Sequence, residues 1–593
     1  MRRRGGSGIL PAMCVGRVSH KPMRVAVFAS TAMLSLGSFG CLSGGIGEAA
    51  INSLTSGYLD AYWRMYPMRA ASAGLSRFEG VAPELSRSAI DTWVRFNRHT
   101  REGLDALRRD ALSEDDLVDA ALVGMTIGAE LLVFDELRDH RRNPMLYDIS
   151  LGMLSLSRPG NGSSPARVRA MAQFLEGSTS LFEQGRRNLD PVLPRICCQV
   201  AIANLEGIAQ YLRRELPGEI AATGADAEAA RLVVAAARAA GAVEDFAMFL
   251  RRERLPLAVE DFAWGEAALM RMLAETEGID LSADDLLELG EADLQRNRHR
   301  AEQLVRTHWP ASTLDDAVSA MKSATYAPSA LGEAIAADVE RLRAFCRTYD
   351  LVSIPRDVRT IVVEAPPFAR WAAAMMHAPR PFSRGEREAV YYLTTGEPGW
   401  SVGERREWSA DLNRYTAMTI TIHESYPGHL VQALHTNRSA SPVQRALVSY
   451  AAVEGWAHYV EQMVFETGFG ADEPLYELAQ LLDALLRDCR LICAVRLHAR
   501  GMTIDEAADF FSEHAFVEPL TARREAERGT FDPGYLKYTL GKLQFVKLRE
   551  DYRRLMGDDF SLRRFHDALL SHGMPPVAVT RQRLLGADSG PSL

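Results

Sequence analysis

Residues 423 to 429 read His-Glu-Ser-Tyr-Pro-Gly-His, and a further acid, Glu454, lies 25 residues past the second imidazole. Zinc hydrolases need neutral nitrogen ligands, one carboxylate ligand and one free carboxylate that takes a proton from the activated water. The pattern assigns His423, His429 and Glu454 to one Zn²⁺ per chain. Glu424 sits beside a ligand without being one and becomes the general base. A structural zinc site uses four protein ligands and has no use for such a spare acid.

The imidazoles are six residues apart, not the four of the common His-Glu-x-x-His motif. A regular helix would place them about 120° apart and about 9 Å apart along its axis, too far to share one ion. Pro427-Gly428 resolves the conflict: Pro removes a main-chain donor and clashes with the preceding turn, and Gly tolerates unusual dihedrals. The helix is therefore predicted to unwind there and return His429 to the side of His423. The uncharged run Tyr415 to Ile422 predicts a buried helix that carries the first ligand inward. Residues Val453 to Glu461 predict a second helix that presents Glu454. His458, four residues on along the same face, is a further candidate, as a donor near the metal.

The surrounding elements are predicted to be mostly helical. Ala227 to Arg254, Leu281 to Val305 with Ser282 as N-cap, and Leu475 to Leu497 after Pro474 show helical apolar periodicity. Strand signals are confined to Arg359 to Val363 and Ala389 to Thr395. Loops concentrate at 158–165 and 365–403. The fold class expected is mainly α: a large two-lobed helical metallopeptidase-like body with a deep cleft and a small β element. The N-terminal lobe is placed at 49–350 and the site-bearing lobe at 351–590, with no internal repeat.

The chain has 593 residues and a net charge of −9, so no nucleic-acid partner is expected. Residues 1–48 resemble an export leader, basic at first and then apolar and uncharged from Val25 to Gly40. Cys41 follows Gly40 as in a lipoprotein signal, which would tether the protein to a membrane in or facing the periplasm. No later stretch reads as long and apolar enough to span a bilayer. Cys197, Cys198, Cys346, Cys489 and Cys493 have the spacing of neither a disulfide framework nor a zinc-thiolate site.

The strings His423 to His429, Glu454-Gly455-Trp456-Ala457 and Asp532 to Leu543 together resemble the bacterial family catalogued as domain of unknown function 885. That family is grouped with zinc metallopeptidases that use His-Glu motifs. The resemblance runs from about 50 to 590. It implies a helical fold like that of the helical carboxypeptidases and oligopeptidases, and it supplies no substrate. Many members have one more residue between the second Pro-Gly and the tyrosine matched by Tyr538, so the match is anchored on Tyr538-x-x-Gly541-Lys542.

The negative oxygen of the transition state needs a donor besides the metal. Tyr538 is the first candidate, with Tyr535 and His458 behind it. Three of the five lysines in this Arg-rich chain fall within 537–547, which makes Lys542 a candidate for a substrate carboxylate. The strand at 389–395 could take up an extended peptide by edge addition, or could equally form an internal hairpin. Two other readings stay open: a zinc hydrolase of non-peptide esters or amides, and a non-catalytic exported lipoprotein. The substrate expected is a peptide or small amide.

Overall fold

The computed structural model describes residues 48–593 apart from 159–164, 222–226, 371, 398 and 587–588. The leader and Cys41 lie outside the described residues.

Helices begin where side chains satisfy main-chain N–H groups that would otherwise be unpaired. Among those used below, α1 (Glu114–Leu131) opens on a reciprocal pair, in which Ser113 Oγ accepts from Asp116 N and the Asp116 carboxylate accepts from Ser113 N. α2 (Pro165–Asn188) and α3 (Ala227–Phe249) follow, and α3 widens into a π-helical turn at Leu250–Arg254. α4 (Ala283–His308) starts on Ser282 with the same reciprocal pairing, now with Asp285. The C-terminal half contributes α5 (Arg414–Glu424), α6 (His429–Thr436), α7 (Tyr450–Glu466), α8 (Leu475–Ala499), α9 (Pro519–Phe531) and α10 (Lys537–Met556). Asn413 caps α5 through two main-chain amides, and Ser449 caps α7.

By length and composition, the segment Glu114–Glu136 is apolar enough to cross a membrane, contrary to the sequence expectation. More than half of it is buried inside the protein, where Val118, Leu122, Val123 and Ile127 join the core. A core helix of a large protein is apolar for the same reason as a membrane span.

Three strands, β1 (Arg359–Glu364), β2 (Ala374–His377) and β3 (Glu388–Leu393), form a sheet in the order β1-β3-β2. β3 pairs parallel to β1 and antiparallel to β2. It is therefore the central strand, and edge addition at 389–395 is ruled out because both of its sides are taken. Ala389, Tyr391 and Leu393 face one apolar core, and Val390 and Tyr392 face another. Burial of both faces explains why this strand reads as an unbroken apolar run.

The first core is built mainly from residues 51–250, and the second from 268–577. α4, which lies before residue 350, shares the second core with the site helices. The five described cysteines are free and buried.

α7 and α10 cross with no side chains between them. A Cβ on Gly455 would stand 2.4 Å from Gly541 Cα, and one on Gly541 would stand 2.0 Å from the Ala451 carbonyl oxygen. Glu454 precedes one glycine and Tyr538 lies one turn before the other, so this crossing draws acid and phenol toward the same space.

Candidate metal centre

α5 ends at Glu424, and α6 starts at His429. Between them Ser425 leaves helical geometry at φ −111° and ψ −96°, and the Tyr426–Pro427 peptide is cis. Gly428 sits at φ −70° and ψ −136°. What it provides is room: a Cβ there would lie 1.9 Å from the His423 carbonyl oxygen and 2.4 Å from that of Ile422. Its N–H reaches back to Ile422 O at 3.2 Å. Trp456, from the second motif, holds the break by donating its indole N–H to Pro427 O at 3.1 Å. The two imidazoles consequently stand 4.6 Å apart, centre to centre, at 86°.

Glu454 Oε2 lies 3.4 Å from His423 Nε2 and 3.4 Å from His429 Nε2. Donors about 2.1 Å from a tetrahedral zinc stand roughly 3.4 Å from one another, so the spacing fits such an ion. The same Oε2 is buried and accepts no hydrogen bond among the described residues. A buried carboxylate oxygen without a partner is costly, and a cation is the natural remedy. Burial pushes the Glu454 carboxyl up, but the imidazoles of His429 and His423 override this and hold it well below the usual range. Burial opposes a proton on His423 as well, yet Glu454 and Glu461 raise its pKa to about 9.

The imidazoles are held from behind. His423 Nδ1 lies 2.6 Å from Glu461 Oε1, which leaves Nε2 for the metal side. Glu461 also accepts from Arg487 at 2.8 Å, and its other oxygen lies 3.2 Å from His458 Nδ1. Burial pushes Glu461 up, but the Arg487 guanidinium and the neighbouring imidazoles keep it ionised. Gln432 turns its amide N–H toward the carbonyls of Ala452 and Val453, which points its oxygen at His429 Nδ1, 3.2 Å away. Sequence reasoning missed Glu461, Arg487 and Gln432. A signal existed for two of them: Glu461 lies seven residues after Glu454 on the same helix face, and Arg487 interrupts the apolar run of α8. Substituting Glu461→Gln is expected to weaken zinc binding about 10–100-fold. Competition with a chromophoric chelator measures this directly.

The trio opens on a cleft of about 1440 Å³ lined by Glu424, Tyr538, β2 and the inner faces of α8 and α9. Burial raises the pKa of Glu424, partly offset by His429 and His423, as suits a proton acceptor working near neutrality. The Met376 main-chain amide of β2 faces this carboxylate. The Tyr538 ring lies parallel to that of His423, with centres 6.2 Å apart. Burial, reinforced by Glu454, pushes its phenol up to about 12, so it stays protonated.

Three predicted site residues are elsewhere. His458 is fully buried, bonds Glu461 and stays neutral because burial drives its pKa down to about 3; it does not line the cleft. Tyr535 is buried beneath Arg528, also off the cleft. Lys542 is 2% exposed and pairs with Asp293 at 3.4 Å. Lys537 pairs with buried Glu277 at 2.9 Å. These lysines meet buried acids, which demand counter-charges, and not a substrate.

No curated protein matched the chain. Two solved structures share its fold. A "putative lipoprotein of unknown function" from Shewanella oneidensis superposes with a TM-score of 0.73 at 21% identity, over 90% of this chain and 99% of that one. A "putative lipoprotein" from Colwellia psychrerythraea gives 0.75 at 17%, over 90% and 98%. The family model described as "Bacterial protein of unknown function (DUF885)" matches residues 67–584, and the chain belongs to that family.

Proposed function

We propose that the chain is a zinc-dependent hydrolase that cleaves peptide bonds. The observation that carries this reading is an uncommitted, buried Glu424 beside three donors spaced for one ion. Zinc held by His423, His429 and Glu454 would polarise a scissile carbonyl and acidify water. Glu424 is placed to take the water proton and pass it to the leaving amine. Tyr538 keeps its proton at neutral pH and can donate to the oxygen on which charge develops.

β2 favours a peptide over a compact ester. Thr394 N bonds Ala373 O, so in the antiparallel register Met375 and His377 turn their main-chain groups toward β3. Ala374 and Met376 therefore turn theirs the other way, and both line the cleft. Glu424 takes the Met376 N–H, which leaves the outward groups of Ala374 and the Met376 carbonyl to pair with an extended substrate, with its scissile bond next to Glu424. Export, with tethering through Cys41, is supported by the leader and by the lipoprotein descriptions of both structural neighbours.

Elemental analysis of protein purified without chelators should find about one zinc per chain. Dipicolinate treatment should abolish peptide hydrolysis, and added zinc should restore it. Tyr538→Phe should lower kcat about 100–1000-fold with little change in KM, the size expected for loss of one oxyanion donor. Zinc-loaded protein that cleaves esters or lactones but no peptide would redirect the reading to another substrate class. Protein that binds no zinc would end it.

A further inference from the structure

Beyond Tyr538, two helices bring guanidinium groups to the cleft wall: Arg487 and Arg490 from α8, and Arg524 and Arg528 from α9. The other three offer no free end-on pair: NH1 and NH2 both donate in Arg487 and Arg524, and NH2 of Arg528 donates twice. Arg487 serves Glu461 and the Asp483 carbonyl. Arg524 bonds Glu397 and the Arg370 carbonyl. Arg528 holds Asp532 and the Tyr450 hydroxyl. Arg490 differs. It donates from Nε and NH2 to the two oxygens of Glu525, at 2.7 and 2.6 Å. Its NH1 carries no hydrogen bond among the described residues, although the side chain is only 8% exposed. A guanidinium so placed keeps both N–H groups of NH1 and one of NH2 uncommitted, which is the end-on fork that matches a carboxylate.

The location matters as much as the donors. The Arg490 guanidinium carbon stands 5.0 Å from the centre of the Tyr538 ring, which also packs against the His423 imidazole, Tyr450, Arg487 and Arg528. The Tyr538 ring thus packs against both a candidate metal ligand and the free fork. An extended residue advances the chain by about 3.3–3.6 Å. A substrate whose scissile bond lies at the trio has room for little chain before it reaches Arg490. Glu525 holds the fork in place and leaves its outer end toward the cleft. Lys542, the residue the sequence offered for this task, is buried against Asp293.

We propose that Arg490 binds the free C-terminal carboxylate of a peptide, so that the enzyme removes residues from C-terminal ends. This assignment rests on the hydrolase reading above. It selects an exopeptidase over an endopeptidase and names the group that sets the preference.

The test compares one peptide as its free acid and as its C-terminal amide. Zinc-loaded wild type is expected to cleave the acid with a kcat/KM at least about 100-fold higher, since a site built to pair a charged group rejects its neutral analogue strongly. Arg490→Gln alone would strand Glu525, so the informative variant is Arg490→Gln/Glu525→Gln, which removes both charges. Its acid-to-amide ratio should fall to within about fivefold of one, mostly through KM. Zinc-loaded Glu424→Gln provides a readout without turnover: by calorimetry it should bind the acid at least about 10-fold tighter than the amide, and the added double substitution should erase that difference. Equal cleavage of acid and amide by wild type, or a ratio unchanged in the double variant, overturns the carboxylate assignment and leaves the hydrolase reading standing. Zinc-loaded wild type that cleaves neither peptide overturns both.

Discussion

Glu424→Gln should bind zinc as wild type does and hydrolyse peptides about 10⁴-fold more slowly, the upper end of what a lost general base costs. The substitution keeps size and an oxygen acceptor for the Met376 amide but removes the basic lone pair that takes the proton. Glu424 lies outside the trio, in which Glu454 stands 3.4 Å from each imidazole, so the ion should not notice the change. Elemental analysis and kcat on the same preparation check both halves. A variant of undiminished rate would mean that another group takes the proton. A variant without zinc would mean that Glu424 is a ligand.

Gly428→Ala should cost the metal site more than its single methyl suggests. The new Cβ would press on the His423 carbonyl oxygen from 1.9 Å, and that is main chain, which cannot swing aside. The break between α5 and α6 must then shift, and His423 or His429 moves off the shared point. Zinc affinity is expected to fall by at least about 100-fold, beyond the effect of losing a supporting partner, because a ligand itself is displaced. The far-UV CD spectrum should stay helical, since the clash falls at the break between α5 and α6 and not within a helix. Zinc bound with wild-type affinity would show that the loop has slack and that Gly428 is dispensable.

Much of this was legible in the chain. Local signals placed the helices that have caps or long apolar periods, such as Ala283–His308 after Ser282 and Leu475–Ala499 after Pro474. The break at Pro427-Gly428 followed from the mismatch between a six-residue spacing and the helical turn. The reason for the glycine did not, because closeness to a carbonyl one turn back is a three-dimensional fact. β2 was missed: four residues, Ala-Met-Met-His, carry no β-branched signal, and the strand exists because β3 offers it a partner. Without β2, the sequence leaves edge addition and an internal hairpin both open for the central strand. Lys542 misled for a related reason. Scarcity of lysine marked it as special, but its buried acid partner, Asp293, lies 249 residues away in sequence. Arg490 and Glu525 escaped notice because each looks like an ordinary surface charge until two helices bring them together.

At the α7–α10 crossing, main chain rests on main chain. Contacts made by side chains can be retuned, because rotamers give and neighbours repack. A spacing stopped by two backbones has no such adjustment. The reach from the acid on one helix to the phenol on the other is therefore inherited by any sequence that keeps a bare hydrogen at both positions. Drift elsewhere in the interior would soften the molecule well before it detuned that reach.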